Sequence, residues 1–100
     1  MGREKNAAVE GFDVAGKTGT AQKYITKTKS YSKTEFVSSF IGYAPADAPR
    51  LVILVMIDNP KGVHWGSVVA APVFQEIAKK SLRYLNIPSS KERVFILDRA

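Results

Sequence analysis

The pattern of apolar and polar positions divides most of the chain into three strand-like segments. Residues 12–25 mix β-branched and aromatic side chains with glycines, which favours a strand that a ligand or another backbone approaches closely. Residues 36–43 and 51–57 are apolar runs of strand length. Residues 45–49 contain two prolines and an aspartate, so we expect the two runs to form an antiparallel hairpin. The polar, lysine-rich residues 27–34 are predicted to form a solvated loop.

Beyond Gly66 the apolar positions change from strand spacing to helical spacing. Pro72 fits the first turn of a helix, where its missing N–H costs little, and Pro88 closes the segment. Charged and amide side chains occupy the other face of this amphipathic helix. Its apolar positions are Phe74, Ile77, Ala78, Leu82 and Leu85.

These segments predict the α+β class, with an antiparallel sheet covered on one face by a long C-terminal helix. Three strands and one helix leave the other face of the sheet uncovered, which indicates that part of the domain lies outside this sequence. A last apolar patch, residues 94–97, is predicted to be a short edge strand or a packed extension. The strand over residues 51–57 is expected to lack a neighbour, and its apolar edge favours swapping or dimerisation.

Composition and charge narrow the function only slightly. One hundred residues fit a single globular domain or a piece of one. The net charge of +6 suits nucleic acid, anionic lipid or an acidic polymer, and charge alone does not choose among them. Lysines at positions 23, 27, 29 and 33 are compatible with an anion-binding patch, although a solvated loop is the favoured interpretation. The absence of cysteine excludes disulfides and thiolate metal sites.

The most informative motif is Lys17-Thr-Gly-Thr20, whose cation, hydroxyls and accessible backbone suit an anion beside a reacting carbonyl. One interpretation is a phosphate-binding loop, because residues 11–18 spell G-x-x-x-x-G-K-T and residues 51–58 form an apolar run ending in aspartate. Such a loop must lead directly into a helix whose N-terminal amides face the phosphates. The residues after Thr18 are poor helix formers, so this interpretation is disfavoured.

A second interpretation is an ordinary exposed strand end without function, or a non-enzymatic module that binds anions. Any single tetrapeptide of this kind is most often such a strand end. Gly16 and Gly19 weaken this interpretation, because glycine is unfavourable inside a strand unless something must come close.

A third interpretation is acyl transfer, for which K-T-G is one of three signature motifs. The chain resembles the C-terminal end of class B penicillin-binding proteins, the monofunctional peptidoglycan D,D-transpeptidases, and leans towards the cell-division type. The resemblance covers roughly residues 6–88 and departs from the family at Ser67, where a second glycine is common. Four ordered motifs carry it, namely G-F-D-V-A-G-K-T-G-T-A-Q at residues 11–22, S-F-I-G-Y-A-P at 39–45, V-M-I-D-N-P at 55–60 and V-A-A-P-V-F at 69–74.

The resemblance implies specific roles for five residues of the first motif. Lys17 supplies positive charge to the substrate's terminal carboxylate and to proton transfer, and the hydroxyls of Thr18 and Thr20 donate to that carboxylate. The backbone N–H of Thr20 is one of two oxyanion-hole donors. Gly19 lets the substrate lie against the strand as an added β-strand. Gln22 is a candidate contact to the incoming substrate.

The resemblance also implies that the nucleophile is missing. In the family a serine in S-x-x-K and a second motif, S-x-N, precede K-T-G, whereas Ser30 to Lys33 spell S-x-x-K after it and within a predicted loop. We interpret that string as coincidence, and no S-x-N occurs. The chain alone is therefore predicted to be catalytically inert. His64 is expected to be structural or exposed, and Trp65 to pack at the start of the helix.

The same resemblance predicts the domains, partners and location. Residues 1–88 correspond to the C-terminal portion of a transpeptidase domain, and residues 89–100 to a tail. The expected partners are peptidoglycan stem peptides, β-lactam antibiotics, the upstream remainder of the domain and cell-division proteins, without nucleic acid. No cofactor or metal is expected. The parent protein is expected at the extracytoplasmic face of the bacterial membrane, anchored by an N-terminal segment outside this chain.

Overall fold

In a computed structural model, the described residues form a four-stranded sheet with a helix on one face. The structure describes residues 6–61, 69–89 and 93–97. The strand order is β3-β2-β1-β4, so β3 and β4 are the edges. The predicted α+β class is therefore confirmed. The elements are β1 (Val14–Ile25), β2 (Ser30–Ala44), β3 (Leu51–Asp58), α1 (Ala71–Tyr84) and β4 (Val94–Ile96).

The pairing of the strands follows the predicted hairpins and adds one parallel strand. β1 pairs with β2 antiparallel, and β2 pairs with β3 antiparallel, across the proline-containing residues 45–49. The hairpin between β2 and β3 is closed by the N–H of Arg50, which donates to the carbonyl of Ala44 at 3.0 Å. β4 is the short edge strand expected in the tail, and it pairs parallel to β1 with Ala15 opposite Phe95.

The face of the sheet that carries α1, here called the inner face, holds the core. Phe74 of α1 is fully buried and lies against Phe40 of β2, with ring centroids 4.8 Å apart. A β-carbon at Gly42 would lie 2.7 Å from the Phe74 ring, so the helix packs directly on backbone at this position. Ala78 and Leu82 are buried as predicted, whereas Ile77 and Leu85 are more than 40% exposed and do not reach the core.

The opposite face of the sheet, the outer face, is apolar and exposed in the described part of the chain. Val52, Leu54 and Met56 of β3 alternate with the inward-facing residues of that strand and are 56–71% exposed. Ile41 of β2 lies opposite Leu54 and is 44% exposed. Sequence analysis predicted an uncovered face, and the structure places it here.

The hairpin between β1 and β2 extends further than the sequence predicted. Residues 30–34 were expected to be loop but belong to β2, and the turn is confined to residues 26–29. The physical reason is the cross-strand pair of Tyr24 and Tyr31, whose rings meet edge to face at 5.3 Å and extend the ladder. The expectations for residues 64–67 lie outside the described residues.

Candidate functional site

The residues of the K-T-G-T motif lie in the middle of β1 and alternate between the two faces of the sheet. Lys17 and Gly19 project to the outer face, opposite Ile41 and Ser39 of β2. Thr18 and Thr20 project to the inner face, and both are more exposed than Gly16, which precedes them on that face. Lys17 and Thr20 are exposed, and so is Gln22 further along the strand; Thr18 and Gly19 are partly buried.

β4 shows which backbone groups of β1 point to the edge of the sheet. The N–H of Val14 donates to the carbonyl of Arg93, and the carbonyl of Gly16 accepts from the N–H of Leu97, both at 2.7 Å. Backbone groups of alternate residues point to the same side of a strand. The N–H and carbonyl groups of Thr18 and Thr20 therefore point to this same edge, on which β4 pairs with residues 14–16.

The ammonium of Lys17 reaches this edge from the outer face. Its Nζ lies 3.4 Å from the carbonyl oxygen of Thr18, which points away from β2. The positive charge of Lys17 and the backbone N–H groups of Thr18 and Thr20 therefore lie along one stretch of strand edge. The Lys17 side chain comes from the outer face of the sheet, and the threonine side chains lie on the inner face. Such an edge can bind an extended peptide through main-chain hydrogen bonds and attract a carboxylate.

The two glycines next to Lys17 have different structural causes. A β-carbon at Gly16 would lie 2.4 Å from the Phe40 ring and 2.9 Å from the carbonyl oxygen of Ile41, so core packing alone requires glycine there. A β-carbon at Gly19 would meet only the Oγ of Ser39, at 2.7 Å. From the sequence, both glycines were explained by the close approach of a ligand or another backbone. With Gly16 explained by core packing, that explanation remains for Gly19 alone of the two.

A buried carboxylate beside the site escaped sequence analysis. Asp13 is 1% exposed, accepts a hydrogen bond from the N–H of Ala46 at 3.2 Å and lies 3.6 Å from the guanidinium of Arg93. That guanidinium also covers the ring of Phe95, 5.4 Å from its centroid. These contacts fasten the start of β4 to the residue that precedes β1. The available signal was an aspartate flanked by apolar residues, Phe12 and Val14.

The basic hairpin contains one ion pair that changes its electrostatics. Lys23 Nζ lies 2.8 Å from the carboxylate of Asp58 at the end of β3. The hydrogen bond to Asp58 raises the pKa of Lys23 above its ordinary value, and a smaller desolvation effect opposes it. Lys27, Lys29 and Lys33 are exposed near the turn, as expected for solvated residues.

The structure removes the phosphate-loop interpretation. Lys17 and Thr18 are followed by a continuous strand to Ile25, so no helix N-terminus faces a phosphate there. The Ser30 to Lys33 string lies on β2 rather than at a helix start, consistent with coincidence. A cavity of about 590 Å³ lies elsewhere, between residues 8–12 and α1, and none of the five predicted site residues lines it.

The described residues contain neither a cluster of metal ligands nor a membrane-spanning helix. No cluster there contains three or more histidine, cysteine or acidic side chains able to hold a metal ion. None of the described helices is long and apolar enough to cross a membrane.

Comparison with known proteins decides the family of this site. A family model described as the penicillin binding protein transpeptidase domain matches residues 1–79. The chain belongs to this family. Among known relatives, stage V sporulation protein D of Bacillus subtilis is 47% identical over 94 residues, which are 93% of this chain and 14% of that protein. The probable peptidoglycan D,D-transpeptidase PenA of Neisseria flavescens is 45% identical over 85 residues, which are 84% of this chain and 21% of PenA.

Solved transpeptidase structures agree with the fold. The crystal structure of penicillin binding protein 3 from Mycobacterium tuberculosis in complex with ampicillin matches with a TM-score of 0.73 and 37% identity. The match covers 87% of this chain and 20% of that one. The predicted membership in the class B penicillin-binding proteins is confirmed. These two relatives are much longer than this chain, which spans about a seventh to a fifth of their length.

Proposed function

We propose that this chain is the C-terminal part of a peptidoglycan D,D-transpeptidase and supplies the K-T-G-T wall of its active site. The observation that carries the proposal is the orientation of Thr20, whose backbone N–H points to the same edge of β1 as the N–H of Val14 and the carbonyl of Gly16. The Lys17 ammonium lies at the same edge. The nucleophilic serine belongs to a part of the enzyme outside this chain.

The position of each group along the edge is compatible with its proposed role. The donor stem peptide lies against β1 as an added strand, and Gly19 keeps that approach open. The N–H of Thr20 donates to the oxyanion that forms when the serine attacks the D-alanyl carbonyl. Lys17 and the hydroxyls of Thr18 and Thr20 hold the terminal carboxylate, and Gln22 contacts the donor further along the strand.

The uncovered outer face supports the proposal that the chain is one part of a larger domain. Val52, Leu54 and Met56 form an apolar surface that nothing in the described residues covers. Burying such a surface is favourable by about 25 cal/mol per Å². The remainder of the transpeptidase domain covers this face in the proposal. Swapping or dimerisation of the isolated chain through the exposed β3 edge stays a prediction.

The relatives support the wider setting of the proposal. The neighbour from Mycobacterium tuberculosis was solved with ampicillin, and the PenA relative is named a peptidoglycan D,D-transpeptidase. We infer that the whole protein binds β-lactams at the same serine and acts at the extracytoplasmic face of the bacterial membrane. Cell-division proteins are its proposed partners.

The test measures acylation of the full-length protein by a fluorescent penicillin. Thr20→Pro removes the proposed oxyanion donor without breaking a bond to β2, because this N–H points away from that strand. We expect its acylation rate to fall by about 10²–10³-fold, the usual cost of losing one oxyanion donor. Thr20→Ser keeps both the N–H and the hydroxyl, and we expect a rate close to that of the unmodified protein.

Two further samples complete this test. Lys33→Ala removes an exposed lysine of the coincidental S-x-x-K string, and we expect it to change nothing. The isolated chain of residues 1–100 should not be labelled at all. Labelling of a serine within the isolated chain, or an unchanged rate for Thr20→Pro, would overturn the assignment of the site.

A further inference from the structure

The C-terminal strand β4 lies on the strand that carries the motif, although it follows the residues that the family model matches. That match ends at residue 79, and β4 spans Val94–Ile96. β4 pairs parallel with residues 14–16, which directly precede Lys17. β2 pairs with the last two of these residues from the other side. The start of β1 is therefore held along both of its edges up to the motif.

A buried carboxylate joins this C-terminal segment to two other segments. Asp13 directly precedes β1 and is 1% exposed. The N–H of Ala46, which follows β2, donates to the backbone carbonyl of Asp13 at 2.9 Å and to its carboxylate at 3.2 Å. The guanidinium of Arg93, the residue before β4, lies 3.6 Å from the other carboxylate oxygen. Because a buried charge is costly unless an opposite charge and hydrogen bonds compensate it, this pair holds β4 against the start of β1.

The Arg93 side chain makes a second contact on the outer face of the sheet. Its guanidinium covers the ring of Phe95, 5.4 Å from the centroid, and this cation–π contact adds to the ion pair. Phe95 lies opposite Ala15 in the register. Residues two apart on a strand share a face, so Ala15 and Lys17 lie in one row on β1. These contacts, here called the C-terminal clasp (Asp13, Arg93 and Phe95), are thus made beside the row that contains Lys17.

Catalysis is sensitive to small displacements of a strand that carries functional groups. A misplacement of about 1 Å can lower a rate by about 10²-fold. In the proposed function, on which this inference rests, Lys17 and Thr20 act from the strand whose start the C-terminal clasp holds. We propose that Arg93 is a positioning residue of the transpeptidase, which acts through Asp13 to fix the start of β1 and with it the positions of Lys17 and Thr20. The C-terminal segment is then a functional part of the active-site scaffold.

The experiment measures the rate constant for acylation of the full-length enzyme by a fluorescent penicillin, expressed per active site titrated at the end point of labelling. Arg93→Ala removes the guanidinium, and we expect the rate constant to fall by about tenfold, because a loosened strand misplaces Lys17 and Thr20 by part of an ångström. Arg93→Lys keeps the positive charge and should stay within about threefold of the unmodified enzyme. Arg83→Ala, at an exposed arginine of α1, should leave the rate constant unchanged.

A second variant tests whether the ion pair is the cause. In Asp13→Asn the side chain keeps an acceptor for the N–H of Ala46 but loses the charge that Arg93 faces. We expect a fall similar to that of Arg93→Ala, and the double variant should lose no more than either single variant, because one interaction cannot be lost twice. Effects that multiply in the double variant would overturn the inference. Asp13→Asn decides alone if Arg93→Ala yields no active enzyme.

The outcomes distinguish positioning from stability and from failure of the proposed function. A merely structural role lowers the fraction of active enzyme but leaves the rate constant of each active site unchanged. An unchanged rate constant in Arg93→Ala or in Asp13→Asn therefore overturns the inference while the proposed function stands. A loss of the same size in Arg93→Lys or Arg83→Ala also overturns it. If the unmodified enzyme is not acylated at all, the proposed function fails, and this inference fails with it.

Discussion

The two faces of the sheet are built from alternate residues of the same strands, yet one face is buried and the other is exposed in the described residues. On the inner face Phe40, Phe74 and Leu82 are at most 1% exposed, and α1 covers the strands. On the outer face Leu54 and Met56 are more than half exposed, although they are as apolar as their neighbours. The inner face is completed by the chain itself. The outer face carries Lys17, and under the proposed function the remainder of the domain covers this face beside the proposed site.

The strongest way to break the inner face is Phe74→Ala. Phe74 fills the space over Phe40 and the backbone at Gly42, and its loss leaves a cavity that neighbouring side chains fill poorly. We expect the free energy of unfolding of the full-length protein's transpeptidase domain to fall by about 3–5 kcal/mol in urea denaturation. Tyr84→Ala, at a position 84% exposed on the same helix, should change it by less than about 0.5 kcal/mol. Equal effects at the two positions would contradict the assignment of the core.

A matched change on the outer face tests whether another part of the domain covers it. Leu54 is 56% exposed here, and a residue so exposed should contribute less than about 1 kcal/mol. In the full-length protein we expect Leu54→Ala to cost about 2–3 kcal/mol by the same urea measurement, because the covering segment buries that side chain. A cost below 1 kcal/mol would mean that the outer face stays exposed in the whole protein.

The smallest effect concerns the Lys23–Asp58 ion pair. Asp58→Asn removes the charged acceptor that raises the pKa of Lys23, so NMR titration of the Lys23 side chain should show a lower pKa. Since the pKa is raised in the folded state, the stabilisation by this pair is complete below the unfolded pKa and is lost as pH rises through the folded pKa. Asp47→Asn, at an exposed position outside this pair, should leave the Lys23 titration unchanged.

The local elements and the family were predictable from the sequence, because their causes are local. The proline-containing gap predicted the hairpin between β2 and β3, and helical spacing predicted the buried side of α1 through Phe74 and Leu82. The strand that carries the K-T-G-T motif was predicted and is β1, whereas the site and its chemical roles stay predictions.

What escaped prediction depends on contacts between distant residues. Asp13 and Arg93 are 80 positions apart, and no local pattern announces their ion pair or the parallel pairing of β4 that accompanies it. The Tyr24–Tyr31 contact overrode a polar, loop-like composition, because aromatic side chains on facing strands stabilise a ladder beyond the propensity of its residues. Ile77 follows the helical period but lies at the margin of the apolar face of α1, where the sheet does not cover it.

The close packing behind the motif also determines how the site can change by mutation. At Gly16 a side chain would meet a ring and a backbone carbonyl, so no single second substitution restores the space. At Gly19 the obstacle is one hydroxyl, that of Ser39. Rotation of that hydroxyl, or its removal in Ser39→Gly, therefore makes room for an alanine at position 19. Positions 19 and 39 are thus coupled across one strand pair, whereas core packing fixes the glycine at position 16.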